Sequence, residues 1–108
     1  MTHSESSLPR HYAIVTIEWA VDSALQLPVD RRFAAIGYRK DLGLKGLVSV
    51  WCELLDWSGN AKDSKSAKLF IASPHLQFNL PQNGEKFVLT SGVRPVAECL
   101  AIAGGEEI

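Results

Sequence analysis

The sequence predicts an all-β protein, a single domain built as a small antiparallel β-barrel of six to seven strands. Three observations carry this. Apolar side chains recur at every second residue in several short runs, the period of a strand with one buried face. Those runs are rich in Val, Ile, Phe and Trp, which suit a pleated, half-buried surface. Polar breaks bearing Gly, Pro, Asn or Ser separate them at short intervals, as in small barrels and sandwiches.

Residues 1–10 (MTHSESSLPR) are polar and read as a flexible leader, without the apolar centre of a signal peptide. Residues 12–21 (YAIVTIEWAV) open the barrel, which is expected over 11–104. Ala13, Val15, Ile17 and Trp19 share one face; Thr16 and Glu18 share the other. Pro28 disfavours a central strand over 25–30, leaving a loop or an edge segment. Residues 30–43 admit two readings. A helix would run from a cap at Asp30 to a stop at Gly43. A strand over 32–39 (RFAAIGYR) is favoured, because Gly37 would weaken a helix by about 1 kcal/mol relative to Ala. DLGLKG then becomes a turn.

Residues 47–57 (LVSVWCELLDW) form the clearest strand, with Val48, Val50, Cys52 and Leu54 on the apolar face and Ser49, Trp51 and Glu53 on the other. Residues 58–66 (SGNAKDSKS) are small and polar, and predict the most mobile internal loop. A strand resumes over 68–72 and bends at Ser73-Pro74. Leu76, Phe78 and Leu80 alternate with Gln77 and Asn79, so a short extended piece leads into a turn at 81–84. Strands over 86–90 and 95–103 meet at Ser91-Gly92. Residues 105–108 are expected to be a frayed tail.

The chain has 108 residues, 46% of them hydrophobic, and a net charge of −1. A chain of this size buries roughly two-thirds of its unfolded surface, enough for a core without staples. Near-neutral charge gives no long-range attraction to nucleic acid or an anionic membrane. No run approaches the about 18 apolar residues of a membrane-spanning helix, and the expected compartment is the cytoplasm. Cys52 and Cys99 each sit in an apolar run, where a free thiol behaves as a small hydrophobe. They are read as reduced core residues, a disulfide between neighbouring strands being the alternative.

The stretch 69–103 (LFIASPHLQFNLPQNGEKFVLTSGVRPVAECLAIA) resembles the end of the third domain of elongation factor Tu and related translational GTPases. The matching positions are Leu69, Pro74, Leu80, Gly84, Phe87, Leu89, Gly92, Arg94, Val96, Ala97 and Ile102. That family usually carries further Gly near the last turn and strand, where this chain has Val93 and Cys99. The resemblance implies a six-stranded barrel that binds rather than catalyses, since in that family the third domain contacts aminoacyl-tRNA and receives protein partners. No GxxxxGK[ST] loop is present to bind GTP.

Catalytic and metal signatures are missing from the sequence. His3, His11 and His75 are scattered, with no CxxC or HExxH spacing. There is no GxSxG elbow, and thiols in apolar strands are inert. Glu53 and Asp56, three apart in a strand, point to opposite faces. Glu98 interrupts the final apolar run and reads as an outward acid near Arg94 or a neighbouring Lys, or as a buried acid lining a barrel mouth with His75. No cofactor is expected.

Two binding surfaces remain. Trp51 and Trp57 with the 58–66 loop, and Arg94 as a polar anchor, would mark a contact with a protein partner or a second subunit, because Trp and Arg dominate interface hot spots. Alternatively, Arg31, Arg32, Arg39, Lys40 and Lys45 with Tyr38 would contact RNA phosphates and bases. The leading expectation is a non-catalytic protein-binding module, with RNA binding and a small-ligand or catalytic site in the barrel mouth as alternatives.

Overall fold

A computed structural model describes residues 10–20 and 30–107. Residues 1–9, 21–29 and 108, and with them His3 and Pro28, lie outside the described residues. Six strands are found among the described ones: β1 (Arg10–Trp19), β2 (Arg32–Arg39), β3 (Val48–Leu54), β4 (Ser66–Ile71), β5 (Lys86–Ser91) and β6 (Arg94–Glu107). They close into an antiparallel barrel in the order β1-β4-β3-β2-β5-β6, with β6 returning to β1.

Period-two burial builds the interior. Ala13, Val15 and Ile17 point inward from β1, Val48, Val50, Cys52 and Leu54 from β3, and Ala67, Leu69 and Ile71 from β4. Phe87 and Leu89 come from β5, and Ala97, Cys99 and Ala101 from β6. Strands β3 and β6 face each other across the barrel, so the small residues of β6 make room for the bulk of β3. A barrel of six strands is narrow enough for side chains alone to fill. Phe87, Leu54 and Leu69 are fully buried; each contributes roughly 1.5–3 kcal/mol by leaving water.

Residues 32–39 form the expected strand, not a helix. Gly37 explains the choice beyond helix propensity. A Cβ at Gly37 would collide with the Phe87 ring and the Val88 carbonyl oxygen. Glycine there lets the largest core side chain lie against the wall of β2.

Both barrel ends are plugged. At one end the 58–66 loop tucks inward: Ala61 and Ser64 are buried, and the Trp19 indole N–H donates to the Ser64 carbonyl at 3.0 Å. Asn60 caps the short 3-10 turn Ala61–Asp63 by accepting from the Lys62 N–H. Asp56 accepts from the Lys65 and Ser66 backbone. At the other end lie the 3-10 turn Gly43–Gly46 and the 3-10 segment Pro74–Asn79. The piece expected to be extended over 76–80 runs instead as two short 3-10 turns within Pro74–Asn79, kinked at Leu76, and only Leu80 is extended. Pro74 at the start of that segment presets its φ, and Gln77 folds back to donate to the carbonyls of Ile71 and Ser73.

The last strand also differs from expectation. Gly105, Glu106 and Glu107 are not a frayed tail: they pair with Tyr12, His11 and Arg10 of β1, so Arg10 belongs to the barrel and not to a leader. A bulge makes this register. Val15 pairs with Ala101 but Ile14 with Ala103, which leaves Ile102 as the extra residue. The slip turns Gly105 and Glu107 to the outer face, level with Tyr12 and Arg10.

Candidate binding surface

The outer wall over β1, β4 and β3 carries one row of aromatic side chains. Trp51 of β3 pairs with Phe70 of β4. Phe70 stands one residue beyond the Ala13–Leu69 pair, so Tyr12 of β1 is its neighbour on the far side. The Tyr12 and Phe70 rings lie 5.6 Å apart at 57°, within the tilted geometry that aromatic pairs prefer. Trp51 is 53% exposed although it stands mid-strand, because only Ala34 of β2 flanks it on its other side.

Charged groups frame this row. The Arg10 guanidinium stands 6.0 Å from the Phe70 ring centre, and the Lys68 ammonium 4.7 Å from that of Tyr12. Both are within cation–π range. Lys68 also pairs with Glu107 at 3.2 Å. Arg32 and Arg31 share Glu53, at 3.3 and 3.6 Å. Arg10, Arg32, Trp51, Glu53, Phe70 and Glu107 line a hollow of about 280 Å3. Among the described residues Arg10 makes no ion pair.

Only part of the expected protein contact assembles here. Trp57 is not exposed beside Trp51; past the end of β3 it turns in and packs against the core at the plugged end. The 58–66 loop holds that same end, with its centre buried. Arg94 is exposed at the start of β6, on the strand opposite β3, so one flat partner cannot reach it together with Trp51. Tyr12, Phe70 and Arg10 join the site instead. Phe70 was visible as the aromatic out of phase with Leu69 and Ile71, but its alignment with Tyr12 depends on pairing between distant strands.

The basic segment does not gather. Arg31 and Arg32 sit at one end of β2, Arg39 and Lys40 at the other, and Lys45 on the turn beyond. Arg39 donates twice to Asp41, at 2.6 and 3.0 Å, and once to the Phe78 carbonyl at 3.1 Å. The bond to Asp41 raises the Arg39 pKa and lowers that of Asp41. Lys40 pairs with Glu98 at 2.8 Å, and Lys86 approaches Glu98 from β5 at 3.5 Å. Tyr38 lies half-buried between these pairs, level with Val88. Among the described residues no continuous cationic track crosses this wall.

Glu98 stands on the outer wall, held ionised by the hydrogen bond from Lys40, which draws its pKa below the ordinary glutamate value. His75 is exposed on the Pro74–Asn79 segment. The two do not share a mouth, and core side chains occupy the interior. His11 pairs with Glu106 at 3.5 Å. Cys52 and Cys99 are free and buried, and burial raises both thiol pKa values, that of Cys99 to about 12. Among the described residues no group of three or more His, Cys, Asp or Glu is placed to hold a metal ion. None of their helices is long and apolar enough to cross a membrane.

No known family, no curated protein and no solved structure matches the chain. The reading of function therefore rests on this surface.

A second hollow, also about 280 Å3, lies between the two 3-10 segments, where Leu42, Leu47, Leu76 and Phe78 meet Lys45 and Asn79. Phe78 is 68% exposed beside it. It offers apolar area but neither Trp nor Arg.

Proposed function

We propose that the protein is a non-catalytic β-barrel module that binds a protein partner on its β1–β4–β3 wall. One observation carries this reading: the exposed Trp51 shares a hollow with Arg10, Arg32 and Phe70. Trp and Arg are enriched at the residues that carry most interface binding energy. Trp51 brings a large rigid apolar surface with few rotamers to lose. Arg10 and the Arg32–Glu53 pair supply a polar rim that fixes orientation. The sequence resemblance to the third domain of elongation factor Tu carries the same expectation, since that domain receives protein partners.

Affinity capture from the native cell tests the reading, with wild-type, Trp51→Ala and Arg39→Glu/Lys40→Glu proteins, each with and without RNase. The expected result is a protein captured by the wild type and by the charge reversal, retained after RNase and lost with Trp51→Ala. Capture that RNase abolishes, or that the charge reversal alone abolishes, would replace protein recognition with RNA binding through Arg39, Lys40 and their neighbours.

A further inference from the structure

Closing a sheet into a barrel removes its edges, yet β6 outruns one of its neighbours. Pairing with β5 ends at Lys86 and Leu100, and the last bonds across that seam join Ala101 to Gly84 and Glu85. β6 continues to Glu107, held on its other side by β1. Among the described residues no backbone bond reaches Ile102–Glu107 from the β5 side. Ile102, Gly104 and Glu106 are all exposed.

The direction of the free groups follows from the ladder. The Ala20 N–H donates to the Val96 carbonyl, and the Ile17 N–H to the Lys65 carbonyl on the other side. Even-numbered residues of β1 thus direct their backbone groups toward β6. Their partners Ala103, Gly105 and Glu107 return those bonds. Gly104 and Glu106, the alternates, aim their N–H and C=O groups outward. Water meets such a row in the free molecule, and an extended main chain can replace it bond for bond.

We infer that this edge pairs with the same edge of a second copy of the chain, the two β6 strands antiparallel about a twofold axis at Gly105. Hydrogen-bonded pairs must join outward-directed residues. Pairing Gly104 with Glu106 of the second copy, and Glu106 with its Gly104, forms four backbone bonds. Pairing Glu106 with Glu106 would set two carboxylates opposite each other, which is unfavourable. Pairing Gly104 with Gly104 would set Glu106 against the bulged Ile102. In the favoured register every Glu faces an uncharged residue. Between Ile102 and Glu107 there is no Lys or Pro; the two acids there are approached within the barrel by His11 and Lys68, and the bulge at Ile102 lies outside the residues that would pair. The contact is isologous and closes at two copies. An axis normal to the sheet places both Tyr12 rings on one side, so the rows Trp51–Phe70–Tyr12 of the two copies run into each other across the paired glycines.

This inference does not depend on the proposed protein contact, and the variants separate them. Light scattering over a concentration series into the sub-millimolar range should show a monomer–dimer equilibrium for the wild type and for Trp51→Ala. Gly104→Pro should be monomeric with an unchanged circular-dichroism spectrum, because among the described residues its lost N–H serves no backbone bond. Amide exchange on the wild type provides a check that needs no variant: the Gly104 and Glu106 N–H groups should gain protection as concentration rises. A wild type that stays monomeric with both amides exchanging freely throughout would overturn the inference. So would a folded Gly104→Pro that still dimerises.

Discussion

The hydroxyl end of the Tyr12 ring lies against Gly105. A Cβ on Gly105 would stand 2.6 Å from the Tyr12 hydroxyl oxygen and 2.7 Å from Cζ, whereas one on Gly104 would meet nothing closer than the Tyr12 carbonyl at 3.5 Å. The adjacent glycines therefore predict opposite results. Gly105→Ala makes the far end of the half-buried Tyr12 ring swing away from β6 and costs about 1 kcal/mol or less, below the range for overpacking a core. Gly104→Ala is neutral or stabilising by up to about 1 kcal/mol, because it restricts the unfolded chain at a position without positive φ. Urea denaturation of the two variants checks the pair of signs.

Gly37 and Phe87 form the corresponding contact inside the barrel. Gly37→Ala drives a methyl group into the Phe87 ring and the Val88 carbonyl, with an expected loss of about 2–3 kcal/mol. Trimming the ring with Phe87→Leu in the same chain recovers only part of that loss, since the backbone oxygen remains. Denaturation midpoints of the two single variants and the double variant measure the coupling.

These contacts mark how far the sequence could be read. Alternation placed the inward residues of β1 and β3 because each inward position is apolar and each run is uninterrupted. Helix propensity at Gly37, not alternation, favours a strand for β2, but the use of Gly37 depends on β5, fifty residues away, lying alongside. Gly105 and the residues after it read as a tail because glycine is a poor strand former; the Tyr12 ring that lies against Gly105 comes from the other end of the chain. The alternation of Leu76, Phe78 and Leu80 suggested an extended piece, while Pro74 sets a 3-10 course that leaves Phe78 outside. The basic residues of 31–45 look clustered in a line of text. Arg32 and Arg39 are in fact about 23 Å apart along a strand, each beside its own acid.

Trp51 and Trp57 should respond differently to truncation. Trp51→Ala removes a half-exposed side chain from the outer wall and changes stability by less than about 1 kcal/mol, while abolishing partner capture. Trp57→Ala opens the packed barrel end and costs about 2–4 kcal/mol. Thermal unfolding followed by circular dichroism separates them; equal destabilisation by both would mean that Trp51 is structural.

The outward acid on β6 gives a pH test. The Lys40 hydrogen bond draws the Glu98 pKa below its ordinary value, so the folded chain holds that proton less tightly than the unfolded chain. The stabilisation is complete above the unfolded pKa and fades as pH falls through the lowered folded one. Lys40, raised by the same contact, sets the opposite limit: its share is present at neutral pH and is lost as pH rises through the raised lysine value. The wild type should therefore exceed Glu98→Gln in urea midpoint at neutral pH. That gap should narrow in acid as the carboxylate is titrated, and also in high salt, because the pair is open to solvent. A gap that stayed constant through the acid range would assign the effect of Glu98→Gln to packing over Val88 and not to the ion pair.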